Sequence, residues 1–366
     1  MRPPPLRVPA GMSDIARMSF APDPTGPRGT TRAKGVRARR PRRARRVLPL
    51  LMVAALSGCQ GRQAVLNPMG EDAADLATLF WVMLGGAVVL WLLVTGLFIY
   101  VTRFRTTEMS RRWAEALIIG GGVIFPTTVL AGLLSYSLPL MATQRTEGDG
   151  VVVHVTGEQW WWRVVYETPD GRRITSANEI RLPVGARTTF RLTANQVIHS
   201  FWIPALGGKT DMIPGRENWM SLKPTEAGLF RGQCTEFCGA SHALMAFEVE
   251  AMAPEDFEAW LDREAQDAAP PASAAAERGA ALFAAEGCGA CHTVRGTDAI
   301  GRVGPDLTHV GSRHSIGAGI LPNDVEAIAD WIERTEHLKP EVDMPQYDHL
   351  PREALLDLGH YLKGLE

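Results

Sequence analysis

Cys234-Thr235-Glu236-Phe237-Cys238-Gly239-Ala240-Ser241-His242-Ala243-Leu244-Met245 is the stretch on which the reading of this chain turns. Two cysteines stand four residues apart, a histidine follows four later, and a methionine three after that. Thiolate, imidazole and thioether donors crowded in this way favour copper over hard cations. A second histidine, His199, lies upstream in Val197-Ile198-His199-Ser200-Phe201-Trp202, at the end of a strand-like run. Two other chemistries compete for the same residues. A Cys234–Cys238 disulfide suits an oxidising compartment. Zinc takes the cysteines and histidines but rarely needs a methionine.

The loop resembles the binuclear copper (CuA) motif of cytochrome c oxidase subunit II, Cys-x-Glu-x-Cys-x-x-x-His-x-x-Met. The resemblance implies that Cys234 and Cys238 bridge two coppers, that His199 and His242 each cap one, and that Met245 and the backbone carbonyl of Glu236 are weak axial ligands. It also implies a magnesium ion shared with subunit I through the Glu236 carboxylate. The likeness runs over about residues 70–262 and includes Gly157-Glu158-Gln159-Trp160-Trp161-Trp162, the aromatic stretch of that family. In that family the first tryptophan is the electron-entry residue, and the resemblance implies this role for Trp160. Three departures stand out: Trp161 where tyrosine is common, Gln196 where many relatives carry an acid, and Ile119 where a glutamate often marks a proton channel. Glu115 lies one turn before Ile119.

Around the loop the sequence is β-rich. Val151–Val155, Trp160–Tyr166, Ile180–Val184, Thr188–Leu192 and Phe247–Ala251 are short strand-like runs, punctuated by Pro-Asp-Gly at 169–171, Pro-Val-Gly at 183–185 and Pro-Gly at 214–215. They predict a small antiparallel sandwich or barrel over 146–262, and the resemblance makes it a cupredoxin-like Greek key. Alternation along a strand buries either Trp161 or its two neighbours, so at least one of the three tryptophans is expected at the surface. Pro254–Glu264 reads as a closing helix.

Upstream lie two uncharged runs, Leu79–Val101 and Ala116–Leu140. At 1.5 Å per residue the first reaches about 34 Å, enough to cross a bilayer. Pro126 inside the second is tolerable in a membrane helix. Arg103, Arg105, Arg111 and Arg112 outnumber Glu108 and Glu115 between the runs, which makes this loop cytoplasmic and sends both outer ends to the periplasm. Residues 59–145 are therefore read as a periplasmic N-terminus and a transmembrane hairpin.

Formal charge is −2 overall, yet residues 1–46 hold thirteen of the 38 Lys/Arg and only Asp14 and Asp23 of the 40 acids. Seven arginines in Arg37–Arg46 precede the short apolar run Val47–Leu56 and then Leu56-Ser57-Gly58-Cys59. That order predicts a secretory leader over 1–58, with Cys59 as a lipidated mature N-terminus. A basic leader of this kind does not point to nucleic acid.

Beyond an Ala/Pro linker at 263–276, expected to be a flexible coil, residues 277–366 read as short helices. Cys288-Gly289-Ala290-Cys291-His292 is the signature of covalent c-type haem attachment: the two cysteines take the haem and the adjacent histidine ligates iron. Helix Glu277–Glu286 before it and Gly304-Pro305-Asp306-Leu307 after it follow the order of class I cytochromes c, which supply a methionine as sixth ligand. Met344 is the single methionine downstream; His309, His314, His337, His349 and His360 are the alternatives. Residues 275–366 carry 8 basic and 15 acidic side chains and residues 145–262 carry 11 and 16, so contact between the two is not expected to rest on net attraction.

The fold class expected is a multidomain membrane protein: a two-helix hairpin, an all-β copper domain and an all-α cytochrome c. Resemblance assigns it the role through which electrons enter a caa-type haem–copper oxidase, with no catalytic residue of its own. Partners implied are subunit I, which holds haem and CuB, subunit III, and a donor such as a cytochrome bc complex or a small cytochrome c. Competing roles are the CuA subunit of a nitric or nitrous oxide reductase, or a non-catalytic periplasmic carrier.

Overall fold

The computed structural model describes residues 61–104 and 108–366. The leader, Cys59 and Arg105 lie outside the described residues.

Helix α1 (Glu71–Arg103) contains the first apolar run and exceeds it at its N-terminus. The extra turn is charged because it does not face lipid: Asp72 is buried against the β-rich part of the chain, where Arg187 donates to it at 3.1 Å and to Ser221 Oγ at 3.1 Å. Lys223 pairs with Glu71 at 2.7 Å. Beyond that turn Trp81, Val89, Trp91 and Phe98 stand exposed. The second span is α2 (Arg111–Ile119), a π turn (Gly120–Ile124) and α3 (Phe125–Thr143). Pro126 has no N–H to give the preceding turn, and a π turn at Gly120-Gly121-Gly122 is one way a helix absorbs that loss. Both helices are apolar on all sides and the apolar windows are unburied, a surface that only lipid satisfies.

The β-rich part is a two-sheet sandwich. One sheet has the order β3-β2-β1-β5-β8, with β1 (Val152–Glu158), β2 (Trp161–Glu167), β3 (Arg173–Ala177), β5 (Thr188–Ala194) and β8 (Asn218–Leu222). The other runs β4-β10-β9-β6-β7, with β4 (Glu179–Pro183), β6 (His199–Trp202), β7 (Lys209–Met212), β9 (Gly228–Cys234) and β10 (Ala246–Met252). Its pairing differs from the all-antiparallel expectation: β1 runs parallel to β5, and β10 to β4. Chain crossings between the sheets bring these strands side by side in the same sense, which strand-like composition does not encode. In β2 burial alternates, so Trp162, Val164 and Tyr166 point into the core. There Trp162 meets Phe247 edge-on at 5.0 Å, and Phe247 stacks on Phe201 at 4.9 Å. Gly232 has no room for a Cβ, which would fall inside the Phe247 ring.

Helix α4 (Pro254–Glu264) closes the sandwich by burying Phe257, Trp260 and Leu261. Residues that follow are not a free coil. Ala268 N donates to Arg295 O at 3.0 Å, His309 Nε2 donates to Gln266 O at 3.0 Å, and Ser273 caps α5 (Ala274–Ala285). Helices α6 (Val325–Glu333), α7 (Thr335–Leu338) and α8 (Arg352–Lys363) complete a second core around Phe283, Leu355, Leu358 and Tyr361. Here α5 crosses α8 closely because Gly279 lies against the Asp357 carbonyl, where any Cβ would collide.

The two cores are joined by buried polar contacts rather than by the linker alone. Arg295 donates to Glu264 O and to Thr175 O, and Glu179 accepts from His314 N at 2.8 Å. Arg313 is buried with its charge acting on Glu264, Asp306 and Glu179. Burial pushes the Glu264 carboxyl above its ordinary range, opposed by Arg313, His309 and Arg295. Local charge complementarity thus holds together two halves whose net charges repel.

Candidate metal and haem site

Strand β9 ends at Cys234 and β10 begins at Ala246, so the quoted stretch is the connection between two neighbouring strands. On its other side β9 pairs with β6, with Phe201 opposite Cys234. That register brings His199, two residues from Phe201, up to the loop from a distant part of the sequence. Gly157 makes room: a Cβ there would lie 2.8 Å from His199 Cδ2.

The donor atoms converge. Cys234 Sγ and Cys238 Sγ are 3.8 Å apart as free thiols, with no bond between them. His199 Nδ1 is 3.8 Å from Cys234 Sγ, and His242 Nδ1 is 3.5 Å from Cys238 Sγ. Met245 Sδ lies 3.9 Å from Cys238 Sγ, and the Glu236 carbonyl oxygen 3.2 Å from Cys234 Sγ. His199, Cys234, Cys238 and Met245 are buried, while Glu236 is exposed. His199 Nε2 is buried without a hydrogen-bond partner among the described residues. A hydrogen bond from the Cys238 thiol pulls the Cys234 thiol down, and the same contact, with burial, pushes Cys238 up. Two sulfurs, two imidazole nitrogens, a thioether and a carbonyl form a soft donor set that fits copper, and metal binding would release the remaining thiol proton.

The second constellation lies in the helical half. A cavity is lined by Cys288, Cys291 and His292, with Met344, Phe283 and Leu358 also on its walls. His292 Nδ1–H donates to Pro305 O at 2.8 Å, which leaves Nε2 as the available ligand nitrogen. Gly304 cradles the ring, since a Cβ there would lie 2.5 Å from His292 Cε1. Burial lowers the His292 pKa and favours the neutral, ligating form. Among the described residues none of the five alternative histidines lines this cavity. His309 is engaged with Gln266 O, His314 with Glu250 at 3.0 Å, and His349 with Glu286 at 3.4 Å. Two thiols, a tautomer-fixed imidazole and a thioether around one apolar cavity fit a covalently held haem.

The tryptophan expectation needs correcting. Trp160 and Trp162 are buried and Trp161 is half-buried with Arg163 over its ring, so none of the three is fully exposed. The helical half covers this edge: Gln159, Trp160 and Trp161 line the cavity that Cys288, His292 and Met344 also line. Trp160 Nε1 donates to the Cys238 carbonyl at 2.9 Å, and Gln159 Nε2 donates to the same oxygen at 3.0 Å. Trp160 therefore touches the haem cavity and the copper-type loop at once.

Several residues of this region carry no signal in the sequence. Ser241 Oγ donates to Pro340 O at 2.6 Å, Ala246 N to Ala318 O at 3.1 Å, and Arg231 Nη1 to Gly319 O at 2.8 Å. Lys339 is almost wholly buried, and its Nζ donates to Gly317 O at 2.8 Å. Burial pushes its ammonium down to about 7, with Cys238 opposing. A lysine before a proline reads as a solvated loop residue, and only its neighbours in space say otherwise.

Comparison with known proteins bears on both constellations. Residues 165–252 match the family described as cytochrome c oxidase subunit II, periplasmic domain, and residues 276–366 match the cytochrome c family. Cytochrome c oxidase subunit 2 of Bacillus subtilis is 33% identical over 352 residues, covering 87% of this chain and 96% of that protein. The corresponding subunit of Alkalihalophilus pseudofirmus is 39% identical over 220 residues, covering 60% of this chain and 63% of that protein. Among solved structures, the periplasmic domain of subunit II of cytochrome oxidase from Bradyrhizobium japonicum is 32% identical, covering 32% of this chain and 95% of that one, with a TM-score of 0.30.

Proposed function

The chain belongs to the cytochrome c oxidase subunit 2 family, and from that premise we propose that it is the subunit through which electrons enter a haem–copper terminal oxidase. In this reading Cys288 and Cys291 attach a haem c whose iron is held by His292 and Met344. Cys234, Cys238, His199, His242, Met245 and the Glu236 carbonyl hold a binuclear copper centre. When bound, the two groups supply one-electron couples.

The chain's own residues do the rest. Burial of His199, Cys234, Cys238 and Met245 keeps water from the donors. The Pro305 carbonyl holds the His292 tautomer. Trp160 bridges the gap between the halves through its contact with Cys238 O, and is the residue through which electrons cross. Exposed Phe237 and Glu236 in the copper-type loop face away from the chain and suit subunit I, with the Glu236 carboxylate contributing to a magnesium site there. Reduction of oxygen to water and proton translocation belong to the assembled oxidase, with subunits I and III as partners and a cytochrome bc complex or small cytochrome c as donor. The hairpin sits in the bacterial inner membrane with both soluble parts periplasmic, and Cys59 carries lipid.

The observation that carries this reading is the convergence of all six copper-type donors at one point, one tryptophan away from the haem-type cavity. Optical and EPR spectra of the purified full-length chain test it. A mixed-valence copper signal together with a covalently bound haem c is expected. A mononuclear copper signal, or haem removable by acid extraction, would overturn it.

A further inference from the structure

The walls of the haem-type cavity are mostly apolar, yet they include two buried cations, Arg313 and Lys339. Arg313 lies at the junction of the two halves and donates to the Asp306 carbonyl. Lys339 is only 2% exposed, and its Nζ donates to the Gly317 carbonyl at 2.8 Å. No carboxylate lies within ion-pair distance of that Nζ among the described residues. Asp343 is the one acid in the cavity lining, and it is exposed.

The backbone fixes where this side chain goes. Lys339 precedes a proline, which disfavours the helical region, and it takes φ −146° and ψ 91° directly after α7. Its N–H donates to Thr335 O at 2.8 Å, and the Pro340 carbonyl accepts from Ser241 Oγ of the sandwich at 2.6 Å. Gly317 opens a turn whose Ala318 carbonyl accepts from Ala246 N. The ammonium is thus held from two sides, where the cavity meets the sandwich.

An ammonium has three N–H groups and a full charge. One carbonyl takes one of those donors and does not neutralise the charge. An apolar side chain of similar volume in this place is often no worse for stability than a buried charge, and methionine would line the cavity as well. What the lysine adds is affinity for an anion inside the cavity. A c-type haem brings anions of its own, the propionate carboxylates, and a carboxylate in apolar surroundings needs a cation and hydrogen bonds.

Resting on the functional reading above, we propose that Lys339 binds a haem propionate, its Nζ giving the carboxylate a charge-assisted hydrogen bond at the junction of the two halves. The residue is then part of the haem site, although it lies outside the Cys288–His292 signature and belongs to neither the thioether links nor the iron ligands.

The test uses the full-length chain purified with its haem, isotopically labelled at the haem carboxyl carbons, as wild type, Lys339→Met, Lys339→Gln and Lys339→Arg. Redox difference infrared spectra follow the labelled carboxylate, and a potentiometric titration at neutral pH follows the haem. The labelled band is expected to move in both neutral variants and to return in Lys339→Arg, which keeps the charge. A carboxylate left unbalanced favours ferric iron. A unit charge roughly 10 Å away, acting through an effective dielectric of about 20, changes such an equilibrium by about tenfold. The haem midpoint should therefore fall by about 59 mV in the neutral variants. Lys339→Gln keeps a polar head, so the result survives if Lys339→Met does not fold. A labelled band that stays in place in neutral variants with haem attached overturns the inference, whatever the midpoint does, and leaves the functional reading standing. Lys339→Arg behaving like Lys339→Met overturns it as well. Wild type without covalently bound haem overturns the functional reading and the inference together.

Discussion

Replacing Arg313 with methionine should loosen the seating of the haem-type half on the sandwich. Arg313 is buried, donates to the Asp306 carbonyl, and supplies the largest favourable charge on Glu264. Methionine fills much of the same space, so little cavity results, but Glu264 is left buried with only His309, a Ser176 hydrogen bond and Arg295 to offset the cost of its charge. Removing one partner of a buried pair costs about 3–5 kcal/mol. The three remaining groups place this case at the low end, about 3 kcal/mol. At about 2–4 °C per kcal/mol for 150–250 residues, the transition of the extramembranous part falls by about 6–12 °C. The double variant Arg313→Met/Glu264→Gln should recover most of the loss, since exchanging a whole buried pair for neutral groups is often close to neutral. Thermal unfolding of the three chains in detergent measures both effects, and amide exchange over residues 265–273 reports whether the seating is what loosens. A single variant within about 0.5 kcal/mol of wild type, or a double variant no better than the single, refutes the argument.

Four further outcomes are expected. Cys234→Ser or Cys238→Ser should abolish a mixed-valence copper signal and leave haem c attached, because the donor sets sit in separate cores; an unchanged EPR spectrum counts against the assignment. Met344→Ala should retain haem but lower its potential, since attachment depends on Cys288 and Cys291; a midpoint equal to wild type points away from Met344. Because burial raises the Glu264 pKa, its contribution to folding is greatest below the ordinary glutamate range and declines as pH rises through the raised value. The stability of wild type minus that of Glu264→Gln should therefore fall with rising pH, and denaturant titrations showing a rise would contradict this sign. Mass spectrometry of the mature N-terminus should find Cys59 first and lipid-modified, and a start upstream of it rules that out.

What could be read from the sequence depended on whether the decisive contacts are local. Five of the six copper-type donors lie within twelve residues, so spacing alone brought them together. His199 was legible only through its resemblance, because the β6–β9 pairing that delivers it joins residues 33 apart, Phe201 and Cys234. Strands β6 and β7 have four residues each and β7 is largely polar, so even the strand-like run at β6 does not say which strand it pairs with. The parallel pairs β1–β5 and β10–β4 follow from chain crossings between sheets and leave no mark on either strand. Helix α1 outran its apolar segment because its first turn packs on protein, where Asp72 finds Arg187.

Charge was the property most misleading in sum. Two acidic halves predict repulsion, and counts of Lys, Arg, Asp and Glu cannot say which of those groups are buried face to face. Arg313 of the haem-type half is buried with its charge acting on Glu264 and Glu179, both buried on the sandwich side. Interactions of this kind are screened much less by salt than surface pairs because little solvent lies between the groups. The same reasoning applies to Trp160. Alternation left open whether Trp161 or its two neighbours point inward, and the edge at Trp160 is covered by a later part of the chain. Trp160 packs with the sandwich core and also lines the cavity shared with residues 276–366, so it is an internal contact between the two halves and not an exposed docking point.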